Sequence, residues 1–108
     1  MDFNEYQKKA LKTAIYPDRN KIIYPTLGLV GEAGKVAEKV KKVLRDNGGV
    51  FGPEETINII AELGDVLWYI TNIANDLGYD LSIVAEKNIE KLEDRKERDM
   101  IQSSGDRR

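Results

Sequence analysis

Residues 53–77, PEETINIIAELGDVLWYITNIANDL, form a helical pattern that is apolar around about two thirds of its circumference at ~100° per residue. Pro53 suits the first turn of this helix, and Gly78 stops it. A narrow polar stripe remains on the helix and contains Asn58, Glu62, Asp65, Tyr69, Asn72 and Asp76. So wide an apolar surface needs cover from several sides, and a chain of 108 residues has few other helices to supply it. The pattern therefore indicates a helical bundle that a second subunit completes.

Three further helices are predicted from apolar residues at helical spacing. They span about residues 2–15, 25–45 and 80–98. Pro17 blocks the first of them, and the run Asn47-Gly48-Gly49 ends the second. Residues 99–108 are expected to form a non-helical tail. We therefore predict one all-α domain over residues 1–108, a bundle of about four helices completed by dimerisation.

Composition excludes several classes of function. With 17 basic and 19 acidic residues the net charge is −2, which does not indicate a nucleic-acid-binding surface. The chain has no His and no Cys, which excludes disulfides, thiol nucleophiles and the usual zinc sites, and removes the commonest general base. No stretch is long and apolar enough for a membrane span, and the N-terminus lacks the features of a signal peptide. A cytoplasmic protein without membrane contact is expected.

Two acidic motifs lie on the second and third predicted helices. Glu62 and Asp65 are three residues apart and point the same way, whereas Glu32 is followed three residues later by Lys35. Helices joined by a short connection pack antiparallel. Counted from the turn at 1.5 Å per residue, Glu32 and Asp65 lie at about 21 and 18 Å, and position 35 and Glu62 at about 17 and 14 Å. The four positions therefore meet at one level, where carboxylates can hold Mg²⁺. Spacing alone leaves open that both motifs are ordinary solvated surface.

Several short motifs, taken in order, resemble one family over nearly the whole chain. The longest are Gly28-Leu29-Val30-Gly31-Glu32-Ala33-Gly34 and Glu62-Leu63-Gly64-Asp65-Val66-Leu67-Trp68-Tyr69, with shorter pieces at Tyr6-Gln7, Tyr16-Pro17 and Lys91-Leu92. Their spacing is similar to that of the MazG-like, all-α nucleoside triphosphate pyrophosphohydrolases of the short phage and bacterial type. The resemblance implies Mg²⁺-dependent hydrolysis of a nucleoside triphosphate, often a deoxynucleotide, to the monophosphate and pyrophosphate. It also implies a homodimer or a dimer of dimers.

The resemblance assigns roles to particular residues. Glu32, Glu62 and Asp65 take the positions of Mg²⁺ ligands. Lys35 takes the position of the fourth ligand, and its ammonium group cannot coordinate Mg²⁺. A carboxylate, Glu32 or its neighbour Glu38, is expected to accept the proton of the attacking water.

On the fourth helix, Asn88, Lys91 and Arg95 follow one side at three- and four-residue steps. They are predicted to contact the phosphates or the ribose of the substrate. The alternative is an interhelical hydrogen bond for Asn88 and solvated charges for the two basic residues.

Because of Lys35, the sequence allows three interpretations of the activity of this chain. It can weaken or abolish metal binding, which would make the chain an inactive homologue that binds nucleotides or a partner helix. Glu38, one turn further on, can partly replace the missing acid. Lys35 can also be an engineered change in an otherwise active enzyme. The sequence does not separate these interpretations.

Overall fold

Four α-helices account for most of the chain in a computed structural model, which describes residues 1–102 and the side chains of residues 1–99. They are α1 (Phe3–Leu11), α2 (Ile23–Asp46), α3 (Pro53–Asp76) and α4 (Leu81–Gln102), with a short 3-10 helix at Asp18–Asn20 between α1 and α2. No strand occurs among residues 1–102. The prediction of an all-α fold with four helices is confirmed.

Two predicted helix ends differ from the structure. α1 ends at Leu11 instead of near residue 15, and the Thr13 hydroxyl donates a hydrogen bond to the Ala10 carbonyl at 2.7 Å just beyond its end. Such local side-chain bonds compete with continued helix. α4 continues through Gln102, so the prediction of a non-helical tail is wrong for residues 99–102. Residues 93–102 contain neither Gly nor Pro to stop the helix, and residues 103–108 lie outside the described part.

α2 and α3 form the antiparallel hairpin that the short connection predicts. Each helix has 24 residues, or about 36 Å at 1.5 Å per residue. The turn between them uses positive φ angles of 59° at Gly48 and 79° at Gly49, which favour glycine. The Gly49 N–H donates to the Val43 carbonyl at 3.1 Å and closes the end of α2. This hairpin is the frame on which the acidic residues lie.

α1 and α4 cover only the second half of α3. The Gln7 side chain of α1 joins the start of α4, where its Oε1 accepts from the Leu81 N–H at 2.6 Å. The buried residues of α3 are Thr71, Asn72 and Ala74, all in its second half. In its first half, Ile57 and Ile60 are 66% and 60% exposed. One subunit alone therefore leaves much of the apolar surface of α3 uncovered.

The described chain is also extended for its length. Its radius of gyration is 17.4 Å, against about 13 Å for an ordinary 100-residue domain. None of the helices in residues 1–102 is long and apolar enough to cross a membrane.

Candidate functional site

Three carboxylates meet across the α2–α3 hairpin. Glu32 of α2 and Glu62 and Asp65 of α3 each offer an oxygen, and these oxygens lie within 4.8 Å of one another. The side chains of Glu32 and Glu62 are 15% and 17% exposed, and Asp65 is exposed. The Oε2 atoms of Glu32 and Glu62 are buried with no hydrogen-bond partner among the described residues. Buried carboxylate oxygens without a partner are costly, so this group of oxygens fits a hard cation such as Mg²⁺.

The charges of the site interact closely. The adjacent Glu32 carboxylate, together with burial, raises the pKa of Glu62, because two neighbouring carboxylates resist being ionised together. The Lys35 ammonium donates to Glu32 Oε1 at 3.3 Å, and this bond raises the pKa of Lys35. Lys39 Nζ lies 3.9 Å from Glu62 Oε1. Two ammonium groups therefore offset part of the negative charge that the carboxylates bring together.

An aromatic group borders the acids on the side away from the hairpin turn. Tyr69 lies one turn beyond Asp65 on α3, and its ring packs against Gly28 of α2, where a Cβ atom would come within 2.1 Å of ring carbon Cε1. Trp68 meets the Tyr69 ring edge-on at a centroid distance of 5.0 Å, and the Tyr24 ring centroid is 6.5 Å away. Burial raises the pKa of Tyr69, and the nearby Tyr24 and Glu32 add to that increase. The acids thus lie between aromatic rings and lysines.

The structure places the other predicted site residues elsewhere. Glu38 is exposed and pairs with Lys41 at 3.0 Å, a hydrogen bond that lowers the pKa of Glu38. It is not among the carboxylates that meet at Glu32. Asn88 and Lys91 line a separate cavity of about 540 Å³ between the end of α3 and α4. That cavity reaches α3 at Ala74, nine residues or about 13 Å beyond Asp65. Arg95 lies one turn further along α4 and is half-buried.

Sequence reasoning did not assign Lys39 or Tyr24 to the site. The cations near the end of α2, Lys39 among them, also suit the negative end of the helix dipole, so their position alone does not indicate a site. One signal in the sequence could have indicated Lys39. It lies on one side of the helix with Glu32, Lys35 and Lys42, because the four residues follow one another at intervals of three, four and three. Tyr24 lies at the start of α2, where no periodic pattern distinguished it.

Comparison with known proteins identifies the family of the chain. The family model for the MazG nucleotide pyrophosphohydrolase domain matches residues 25–99, which include all three carboxylates. The chain is also similar to the "Gene 37 protein" of Mycobacterium phage L5, with 48% identity over 114 aligned positions covering 100% of both chains. No solved structure matches the chain. The match spans more than half of the sequence, and the chain belongs to the MazG nucleotide pyrophosphohydrolase family.

Proposed function

We propose that this protein hydrolyses nucleoside triphosphates, deoxynucleotides included, to the monophosphate and pyrophosphate, with Mg²⁺ held by Glu32, Glu62 and Asp65. The observation that carries the proposal is the meeting of three carboxylate oxygens within 4.8 Å, two of the side chains having a buried, unpartnered second oxygen. Oxygen-only ligands suit Mg²⁺. The net charge of −2 favours free nucleotides over nucleic acid as the substrate, and we place the activity in the cytoplasm.

The reaction needs little covalent chemistry from the protein. A water oxygen attacks the α-phosphorus, the bond from that phosphorus to the bridging oxygen breaks, and pyrophosphate leaves with the electron pair. Bound Mg²⁺ would neutralise phosphate charge and stabilise the transition state. The water proton passes to a carboxylate. Of the two candidates, Glu32 lies in the cluster, whereas Glu38 is about 240° further around α2 and is paired with Lys41. We assign proton acceptance to Glu32.

The direct test is pyrophosphate release from a panel of ribo- and deoxyribonucleoside triphosphates, with and without Mg²⁺. We expect release that requires Mg²⁺ and that falls by at least two orders of magnitude in Glu62→Gln, which keeps the shape of the side chain and removes its charge. Glu86→Gln, an exposed change on α4, is the matched control. If no nucleotide releases pyrophosphate at high protein concentration, this chain is not a hydrolase.

Lys35 favours one other function, nucleotide binding without turnover. Its ammonium group lies 3.3 Å from Glu32 Oε1 and offsets negative charge that Mg²⁺ would otherwise neutralise. Calorimetry would then show binding of a nonhydrolysable triphosphate while no pyrophosphate is released. Turnover that depends on Mg²⁺ rejects this function.

We further propose that the protein acts as a homodimer or a dimer of dimers. The support is the exposed apolar surface on the first half of α3 and the extended shape of the single chain. Within one subunit, Asn88 and Lys91 line a cavity away from the acids. We therefore assign Asn88, Lys91 and Arg95 to substrate contacts that form across the subunit interface.

A further inference from the structure

A row of lysines on α2 leads from the carboxylates towards the hairpin turn. Lys35, Lys39 and Lys42 follow Glu32 along one side of the helix and span about 10 Å at 1.5 Å per residue. The first two contact the acids, through Lys35 Nζ to Glu32 Oε1 and Lys39 Nζ to Glu62 Oε1. The third lies beyond the acids, nearer the turn.

A cavity of about 320 Å³ lies at this end of the hairpin. Lys39 and Lys42 of α2 line it, together with Asn58 and Asn47, whose Nδ2 donates to the Val50 carbonyl at 2.6 Å. Asn58 is one turn before Glu62 on α3, so the cavity begins next to the carboxylates. Its volume falls in the range of small-molecule sites. The two ammonium groups and the amide nitrogen of Asn58 can donate hydrogen bonds, which suits an anionic ligand rich in oxygen.

Hydrogen-bond donors remain available to a ligand in this cavity, although its lining is not only basic. Two acids also line it, Asp46 and Glu55. Asp46 accepts two hydrogen bonds from the Arg45 guanidinium, at 2.7 and 2.9 Å, which offset its charge. Glu55 lies in the first turn of α3, beside Gly52. Among residues 1–99, no hydrogen bond or ion pair engages Lys42. Its ammonium group attracts the nearby Asp46 and Glu38 carboxylates without pairing with either, so it can turn to a ligand without breaking a hydrogen bond or an ion pair.

The side chains along the α2–α3 hairpin thus change character towards its turn. From Tyr69 to Asn58 the hairpin runs about 16 Å, first past aromatic rings, then past the carboxylates, then to the lysine-lined cavity. A nucleoside triphosphate has the same order of parts, an aromatic base, the reacting α-phosphate and two terminal phosphates. We propose that the cavity at Lys39 and Lys42 binds the β- and γ-phosphates, the part released as pyrophosphate. This orientation rests on the proposed hydrolysis, whereas binding of pyrophosphate itself does not.

The first test is calorimetric titration with inorganic pyrophosphate at constant excess Mg²⁺. Lys42→Ala should weaken pyrophosphate binding by about tenfold or more, as expected for a lost charge-assisted hydrogen bond. Lys41→Ala removes the same charge from the neighbouring residue, which pairs with Glu38 instead, and should change affinity by about twofold or less. Lys42→Arg should retain most of the affinity. Equal affinities in Lys42→Ala and Lys41→Ala, or no pyrophosphate binding at millimolar concentration, overturn the proposal.

The second test asks which phosphates the cavity holds. Lys42→Ala should weaken binding of a nonhydrolysable triphosphate and leave binding of the monophosphate unchanged. Equal weakening of both overturns the assignment to the β- and γ-phosphates. Pyrophosphate release, measured alongside, separates the two proposals. If the protein releases pyrophosphate but its ligand affinities do not depend on Lys42, only the assignment of the cavity is rejected. If binding depends on Lys42 but no pyrophosphate is released, only the proposed hydrolysis is rejected.

Discussion

Lys35 is the residue on which the proposed metal site most depends, because its ammonium group lies 3.3 Å from Glu32 Oε1 and offsets part of the negative charge that would attract a metal ion. Lys35→Glu changes the local charge by two units and adds an oxygen ligand. Without metal the variant should be less stable, because four carboxylates then face one another. With Mg²⁺ at a hundred times its dissociation constant, stability should rise by about 2.7 kcal/mol through binding. Thermal unfolding with and without Mg²⁺ measures both effects, and pyrophosphate release should rise by orders of magnitude.

Lys41→Glu is the control for this prediction. It makes the same charge change on α2 at a residue that contacts Glu38 and not the carboxylate cluster. It should show no stabilisation by Mg²⁺ beyond that of the wild type. If Lys35→Glu behaves like this control and gains no turnover, position 35 is not a ligand position and the four-acid arrangement is wrong.

Asp65 is the most exposed of the three carboxylates, and its charge can be removed without a change of shape. Asp65→Asn should lower Mg²⁺ affinity and turnover steeply while the helical circular dichroism stays the same. In the absence of metal, relief of repulsion should leave the melting temperature equal or higher. Calorimetric Mg²⁺ titration is the deciding measurement. The same Mg²⁺ affinity in the variant and the wild type would remove Asp65 from the site.

At this scale the sequence predicted which acids come together and missed what surrounds them. The rise per residue and a short turn determine the heights of Glu32, Glu62 and Asp65, so counting was sufficient. The contact between Lys39 and Glu62 depends on side-chain rotamers across two helices, which periodicity does not specify. The position of Asn88 depends on where α4 lies, and that is decided by tertiary packing.

At the scale of helices, local signals succeeded where they were strong. From the glycines of the turn and Pro53, the ends of α2 and α3 were predicted to within two residues of the observed ends. α1 ended early because the Thr13 side chain competes for a backbone carbonyl, and α4 ran on because no residue stops it before Gln102. A Cβ atom added at Gly34 or Gly64, beside the acids, would meet no atom of a neighbouring helix within 4 Å inside the described chain, so packing there does not require glycine.

Among the glycines of α2 and α3, Gly28 is the one packed tightly against the other helix. Gly28→Ala would put a Cβ atom 2.1 to 2.6 Å from three carbons of the Tyr69 ring. Displacing that ring should cost about 1 to 3 kcal/mol and outweigh the gain in helix propensity of about 1 kcal/mol. Gly31→Ala, whose added Cβ would meet no atom of another helix within 4 Å among the described residues, should instead stabilise the protein by about 1 kcal/mol. Chemical unfolding of both variants measures the difference. A Gly28→Ala variant as stable as Gly31→Ala would contradict the contact with Tyr69.

At the scale of the whole molecule, a single chain leaves many of its large apolar side chains exposed. The buried apolar residues in the described part are Ala10, Val43, Ala74 and Leu81, while larger side chains such as Leu27 and Ile60 stay exposed. A sequence pattern can show that a helix needs cover on several sides, as it did for residues 53–77. It cannot show which sides the same chain covers, because that depends on where α1 and α4 lie.

We therefore expect light scattering to show a stable dimer or tetramer at micromolar concentration. Ile60→Glu should break it, since burying one Ile contributes about 1.5 kcal/mol or more and a twofold interface contains the residue twice. The sum corresponds to a loss of more than about a hundredfold in association. Lys12→Glu, an exposed change at the end of α1, should leave the assembly intact. A wild-type monomer at micromolar concentration would show that the exposed apolar face of α3 is not a subunit interface. The assignment of Asn88, Lys91 and Arg95 to a shared site would then fall with it.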